Sequence, residues 1–135
     1  MTRLSFVLIG AALFAFAGCG SSPLNSISGD VTFDGEPVDG GSIVFLPQSE
    51  GGSKGSAEIV AGKYAIPVEQ GLPPATYRVE IVWHKPTGKQ IPSGDPGMLM
   101  EERKQVLPAK FNTQSTLTAV VTAEKKPHDF LLTSK

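Results

Sequence analysis

The stretch SGDVTFDGEPVDGGSIVFLP, residues 28–47, decides the fold of this chain. Its first half alternates between core-like and solvent-like residues, with Val31 and Phe33 on one side. This period of two is typical of a half-buried β-strand, because successive side chains of a strand point to opposite faces. Asp34-Gly35 then predicts a turn, since glycine adopts positive φ without steric cost. A second apolar run, residues 43–46, follows, so the stretch predicts two short strands joined by tight turns.

The same strand pattern continues along the rest of the chain. Residues 57–60 and 63–66 flank Ala61-Gly62, which predicts a tight hairpin. The strongest alternation predicts four inward-facing side chains: Tyr77, Val79, Ile81 and Trp83. Residues 117–121 and 130–132 complete about seven strands. The chain also has 15 glycines and 11 prolines but no long helical pattern, so we expect an all-β fold, a single antiparallel β-sandwich.

Residues 27–133 also resemble the carboxypeptidase regulatory-like domains, which have a transthyretin-like sandwich. The family pattern of G-x-V, D-G-x-P-V and G-x-V-x-F is matched at Gly29, Val31, Asp34, Gly35, Pro37, Val38, Gly41, Ile43 and Phe45. Residues 61–64 and 74–79 match two further turns, with Ala61 and Ala75 where the family has Asp and Gly. The resemblance implies a seven-stranded Greek-key sandwich over residues 27–135. Its motifs are structural, so they specify the fold better than the function.

The first 18 residues differ in composition from the rest of the chain. Arg3 is their only charge, and an apolar run extends from Leu4 to Gly18. This layout is typical of a bacterial export signal. The alternative is an uncleaved membrane helix, but these fifteen residues reach only ~22 Å, short of the roughly 30 Å hydrocarbon core. We therefore predict a cleaved signal helix over residues 1–18.

Cys19 is the only cysteine, so it cannot form an internal disulfide. Together with Phe16-Ala17-Gly18 it resembles the lipobox of bacterial lipoproteins, in which leucine is the commonest residue at the position of Phe16. The resemblance implies signal cleavage before Cys19 and acylation of Cys19. Its acyl chains would contribute about 0.8 kcal/mol per buried methylene and anchor the protein stably. A free thiol or an intermolecular disulfide is the alternative.

Residues 19–26 are then the lipidated cysteine and a flexible tether to the domain. Gly20 is not the aspartate that resembles an inner-membrane retention signal. We therefore expect an exported protein anchored in the outer membrane rather than the inner one, with the membrane as a partner through Cys19. The segment from Leu107 to Leu117 also resembles small bacterial lipoproteins that carry this type of domain.

Histidine and cysteine, two residue types that often catalyse reactions, are scarce in this chain. His84 and His128 are the only histidines, and such residues are more often solvated than catalytic. No residue pairing points to a serine triad, and acylation of Cys19 would remove its thiol as a nucleophile. With 12 basic and 13 acidic side chains the net charge is -1, which disfavours nucleic acid as a partner. We predict a non-catalytic protein without a metal or a cofactor.

Three local patterns have weak alternative interpretations as ligand sites. The acidic residues near the first turn, which could bind calcium, are Asp30, Asp34, Glu36 and Asp39. They lack regularly spaced oxygen ligands, so solvated carboxylates are expected. Residues 51–55 lack the spacing of a phosphate loop. Some transthyretin-like sandwiches bind iron through two tyrosines and two histidines, but Tyr64 and Tyr77 have apolar strand positions, which predicts core packing.

The segment from Pro86 to Pro108 is longer than a simple sandwich needs. Loops beyond about 12–15 residues are usually functional or disordered. Met98, Leu99 and Met100, with Arg103 close by, predict an exposed apolar patch on a loop or a single helical turn. One interpretation is a docking surface for an envelope protein or a glycan. The other is that these residues cap the open end of the core.

The sequence thus favours an exported, lipid-anchored, non-catalytic β-sandwich with a structural or protein-interaction role. The first alternative is an extracytoplasmic carrier for a glycan or another small ligand, which would need exposed aromatic side chains. The second is an enzyme that uses His84 or His128.

Overall fold

A computed structural model describes residues 23–135, which form a mostly β protein. The predicted signal peptide, residues 1–18, and Cys19 lie outside these residues. The strands are β1 (Ile27–Phe33), β2 (Glu36–Pro37), β3 (Gly41–Pro47), β4 (Gly55–Ile59), β5 (Lys63–Ile66), β6 (Ala75–Val82), β7 (His84–Pro92), β8 (Leu99–Gln105), β9 (Thr118–Val121) and β10 (Phe130–Leu132). Two short 3₁₀ helices, Val68–Gln70 and Ala109–Phe111, are also present. Among the described residues, no helix is long and apolar enough to cross a membrane.

The first sheet is built around β1, which pairs with β2, β5 and β10. The β2 and β5 pairs are antiparallel, whereas β10 lies parallel to β1, with Val31 opposite Phe130. The predicted turn at Asp34-Gly35 is confirmed, with φ values of 49° and 82°. The predicted turn at Ala61-Gly62 is also confirmed, with both residues at positive φ and two hydrogen bonds between Val60 and Lys63.

The second sheet has the strand order β4-β3-β6-β9, and all of its pairs are antiparallel. Its central strands are β3 and β6, with Ile43 opposite Ile81 and Phe45 opposite Val79. β6 confirms the strongest alternation of the sequence, because its inward-facing side chains and the adjacent Trp83 are at most 3% exposed.

Buried side chains from both four-stranded sheets form a single hydrophobic cluster. Both tyrosines belong to it, as predicted, and each hydroxyl has a partner. The Tyr64 hydroxyl donates to the carbonyl oxygen of His128 at 2.6 Å, and the Tyr77 hydroxyl donates to that of Pro73 at 2.8 Å. A buried phenol needs such a partner because an unpaired hydroxyl costs free energy in an apolar environment.

Two expectations about the sheets were wrong. The seven predicted strands are all present, but the described residues contain ten. The three strands that were not predicted are β2, which is only two residues long, and β7 and β8, which occupy the segment predicted as a loop. The fold is also not wholly antiparallel, because β10 joins β1 in parallel after the chain has passed through the second sheet. Alternation identifies a strand but carries no information about its partner or direction.

Candidate interaction surface

β7 and β8 form a third sheet of two strands, which we call the arm. Its strands pair in antiparallel fashion from His84 opposite Gln105 to Pro92 opposite Leu99. Most of its side chains are exposed, so neither face of the ribbon is covered along its length. The segment from Pro86 to Pro108 is therefore largely an extended hairpin, and the predicted loop or helical turn was wrong.

The base of the arm is fixed to the body by hydrogen bonds around Trp83. The indole Nε1 of Trp83 donates to the carbonyl oxygen of Asp39 at 2.7 Å, and its backbone N–H donates to Oε1 of Gln105 at 2.8 Å. Lys85 lies 4.0 Å from the centre of the indole ring and pairs with Glu36 at 2.9 Å. The arm therefore begins at a well-defined position even though most of its length is exposed.

Two features shape the middle of the arm. The register shifts between Pro86 and Gln90, and Gly88 in that interval has a φ of 80°, which favours glycine. The Thr87 hydroxyl donates to Oε2 of Glu102 at 2.7 Å across the ribbon. A bulge of this kind increases the local twist of a ribbon.

The tip of the arm carries the apolar residues that the sequence singled out. A turn closes it, in which the backbone N–H of Ser93 donates to the carbonyl oxygen of Met98 at 2.9 Å. Met98, Leu99 and Met100 are 60%, 64% and 51% exposed. They do not cap the core, so that interpretation was wrong. Three adjacent exposed apolar side chains are the kind of surface that marks a contact site.

Arg103, the fourth residue of the predicted patch, lies in the strand rather than at the tip. Its Nη2 donates to the carbonyl oxygen of His84 at 2.9 Å, so the guanidinium group reaches back across β7 toward the body. Met98, Leu99 and Met100 thus lie at the tip, with the Leu99 and Met100 side chains on opposite faces of the ribbon, and Arg103 lies nearer the base. One sequence feature could have predicted the hairpin of β7 and β8: the turn-forming residues from Ser93 to Gly97, which lie between two extended runs.

The arm leaves the body at the end opposite to the tether. Asn25 exchanges two backbone hydrogen bonds with Leu72, at 2.9 and 3.0 Å, just before β6 begins at Ala75. The arm begins at His84, just after β6 ends at Val82. The eight residues of β6 span about 26 Å, so the start of the domain and the base of the arm are separated by about that length.

An open groove of about 660 Å³ lies beside β5, with Tyr64 among the residues that line it. Its charged side chains are Asp30, Glu58, Lys63 and Asp129. Asp30 pairs with Lys63 at 2.7 Å, which raises the pKa of Lys63, and Asp129 accepts a hydrogen bond from the backbone N–H of Asp30 at 2.8 Å. Burial, together with the negative charge of Asp129, raises the pKa of Tyr64. Asp30, Lys63 and Asp129 thus join neighbouring segments of the chain.

The two histidines lie on different elements. His84 is exposed at the start of β7, and His128 is half-buried. The backbone of His128 is engaged structurally, since its N–H donates to Ser28 at 2.8 Å and its carbonyl accepts from Tyr64. Within residues 23–135, no group of three or more His, Cys, Asp or Glu side chains is arranged to hold a metal ion.

The acidic residues near the first turn each bind a different part of the chain. Asp34 accepts a hydrogen bond from the backbone N–H of Ser134 at 2.9 Å, which lowers the pKa of that carboxyl. Asp39 accepts from the backbone N–H of Ala61 at 2.9 Å. With Asp30 and Glu36 paired to lysines, the four carboxylates have separate structural roles.

Comparison with known proteins adds no assignment, because no family model, no curated protein and no solved structure matches this chain.

Proposed function

We propose that this chain is an exported, lipid-anchored, non-catalytic protein of the bacterial envelope whose arm contacts other molecules. The observation that carries the contact role is the arm itself, with Met98, Leu99 and Met100 exposed at its tip. Exposed apolar side chains on a ribbon with two solvated faces contribute nothing to the core. Their cost in solubility is offset when another molecule covers them.

The proposal of a lipid anchor is based on Cys19 and the apolar run before it. Acylation there would tether the protein through the residues between Cys19 and Asn25, at the end of the domain opposite to the arm. The tip would then extend beyond the body rather than being held at the acyl chains. The outer membrane is the proposed destination because Gly20 is not the aspartate that resembles an inner-membrane retention signal.

For the domain we propose a transthyretin-like β-sandwich of the carboxypeptidase regulatory-like type, with the arm as an addition. Two four-stranded sheets that share one core support this proposal. The family-like residues Gly35 and Gly62 have the positive φ values that such turns require. The sandwich supplies a rigid base for the arm and no reactive group of its own.

A carrier for a glycan or another small ligand is less well supported. Such a protein usually presents aromatic rings on a concave surface. Trp83 is buried, and so are Tyr64 and Tyr77. The groove beside β5 therefore offers one tyrosine edge, and three of its charged side chains, Asp30, Lys63 and Asp129, already have partners within the chain.

The anchor is tested by expressing the full chain and its Cys19→Ser variant and separating membranes from soluble fractions. We expect the parent chain in the membrane fraction, with a mass that includes acyl chains on Cys19. The variant should retain its uncleaved signal or appear in the soluble fraction. A mature parent chain with an unmodified Cys19 would refute the proposal.

A further inference from the structure

The two edges of the arm are not equivalent. The backbone N–H of Val106 donates to Trp83 at 2.9 Å at the base, and that of Ser93 donates to Met98 at 2.9 Å at the tip. Since hydrogen-bonding direction alternates along a strand, even-numbered residues of β8 point their backbone groups toward β7. Residues 99, 101, 103 and 105 therefore point their N–H and C=O groups away from β7.

The outer edge of β7 is blocked for pairing. Pro86 lies opposite Arg103, and Pro92 lies opposite Leu99, so both prolines occupy outward-pointing positions. Proline has no N–H, and a bulge also interrupts this strand between the two. Prolines and bulges are the devices with which proteins protect an edge strand from further pairing.

The outer edge of β8 has no such protection. Its seven residues, LMEERKQ, include no proline and no glycine, and they pair with β7 without a bulge on this strand. Among residues 23–135, β7 is the only strand hydrogen-bonded to β8. An exposed, regular edge of this length is a template for one more strand.

We propose that β8 pairs with β8 of a second copy of this chain. The two strands run antiparallel about a two-fold axis that passes through Arg103, and they form a four-stranded sheet from two arms. A two-fold axis perpendicular to the joined sheet does not exchange its two faces. The residue of β8 that lies on this axis must therefore be opposite the same residue of the second copy. Arg103 is an outward-pointing residue, so its backbone can exchange two hydrogen bonds with its copy.

The side chains of β8 are complementary to themselves in this register. Glu102 lies opposite Lys104 of the second copy, and Met100 lies opposite its Val106; each pair occurs twice. Met100 is 51% exposed and Val106 is 37% exposed, so both gain from burial. Opposite charges and apolar pairs directly across strands each contribute about 0.2–1 kcal/mol.

The central position, where Arg103 lies opposite Arg103 of the second copy, is the only one that brings like charges together. The direction of the Arg103 side chain reduces the repulsion between the two charges. The Arg103 guanidinium already donates to the carbonyl oxygen of His84 on its own β7. Its charge is therefore directed away from the edge that would join the two copies. A register centred on Glu102 is less favourable, because it sets Glu102 against itself and places Met100 opposite Lys104.

This inference rests on the proposed contact role of the arm but not on the lipid anchor. The two bodies would lie at opposite ends of the joined arms. The tether from Cys19 to Asn25 can span up to about 20 Å, which allows both anchors to reach one membrane with the dimer lying along it.

Crosslinking through one introduced cysteine, in unfractionated extracts of the expressing cells, tests the register. The full-length chain, its Arg103→Cys variant and its Leu99→Cys variant are oxidised and separated without reductant. We expect disulfide-linked dimers from Arg103→Cys, because directly opposite Cα atoms about 5.5 Å apart suit a disulfide. Leu99→Cys should form none, since its two copies lie about 27 Å apart. Dimers of the parent chain would show a free Cys19 thiol, which contradicts the lipid anchor and not the pairing of the arms.

Charge exchange provides a second test on the purified mature protein in detergent, with sedimentation equilibrium as the measurement. Lys104→Glu places two acidic residues opposite each other twice, so we expect the dimer Kd to rise about tenfold. The double variant Glu102→Lys with Lys104→Glu should restore it to within about threefold. A monomeric parent chain, equal crosslinking of both cysteine variants when the parent chain forms no dimer, or disulfide links from the Arg103→Cys variant only to a different protein would overturn the proposal.

Discussion

Trp83 and Asp39 are joined by a hydrogen bond of 2.7 Å from the indole Nε1 to the backbone carbonyl oxygen. Asp39 lies between β2 and β3, and Trp83 is the residue between β6 and the arm. The bond therefore links the base of the arm to the connection between the two larger sheets. Because Trp83 is only 3% exposed, it also belongs to the core, so one side chain couples the position of the arm to the packing of the body.

Trp83→Phe removes this hydrogen bond and part of the buried ring. We expect the free energy of unfolding to fall by about 1–2 kcal/mol, because the bond is lost and a space is left. Urea unfolding measured by far-UV circular dichroism is the appropriate assay, since the variant lacks the only tryptophan. Lys85→Ala is the matched control: it removes the charge above the ring and should cost less than about 1 kcal/mol. An equal loss in both variants would contradict the role of the hydrogen bond.

Gly29→Ala should be strongly destabilising. A Cβ atom at this position would lie 2.0 Å from the carbonyl oxygen of His128, and neither backbone can move without disturbing others. His128 is held by its N–H bond to Ser28 and by the Tyr64 hydroxyl. We expect a loss of at least about 2 kcal/mol in the free energy of unfolding. Gly94→Ala is the control, because nothing lies within 4 Å of the point that its Cβ atom would occupy.

Ala61→Asn should stabilise the protein. Ala61 has a φ of 51°, a conformation that costs an alanine about 1 kcal/mol and that asparagine tolerates better. We expect a gain of about 0.5–1 kcal/mol in chemical unfolding. The adjacent Gly62→Ala should have the opposite sign, since Gly62 has a φ of 78° and a Cβ there would lie 2.8 Å from Pro37. A loss of stability in Ala61→Asn would show that its turn is not strained.

Stability should decline above pH 10. Burial raises the pKa of Tyr77, and burial together with Asp129 raises that of Tyr64 above the ordinary 10.0. The folded state thus keeps protons that the unfolded chain loses, so the contribution is complete below about pH 10 and falls as the pH rises further. These are the only tyrosines, so absorbance at about 295 nm should report tyrosinate only as unfolding begins. Ionisation of Tyr64 in a protein with native circular dichroism would contradict this prediction.

The body could be predicted well from sequence because its strands have one buried face. In β6, Tyr77, Val79 and Ile81 alternate with polar or less buried residues, and that pattern identifies both the strand and its inward face. The pairing could not be predicted in the same way. Alternation in β1 does not indicate that Phe130 lies beside Val31 in a parallel pair, because partner choice depends on the path of the whole chain.

The arm could not be predicted as a pair of strands because it has no buried face. An exposed ribbon needs no alternation, and Pro86, Gly88 and Pro92 interrupt the strand pattern in β7. The same composition left two interpretations of Met98 and its neighbours, a cap or an exposed patch. Only the three-dimensional position of the tip, beyond the core, decides between them.

Shortening the arm should leave the body intact. Residues 91–100 can be replaced by Thr-Asn-Gly-Thr, in which the threonines take the hydrogen-bonded pair of positions 91 and 100 and Asn-Gly forms the two-residue turn. Because Met98, Leu99 and Met100 do not contact the core cluster, we expect the free energy of unfolding to change by less than about 0.5 kcal/mol. The dimer should, however, become weaker, because the variant lacks Met100 and therefore both pairs between Met100 and Val106 of the second copy. Thermal unfolding and sedimentation of the same sample measure both effects, and a large fall in stability would show that the tip supports the core after all.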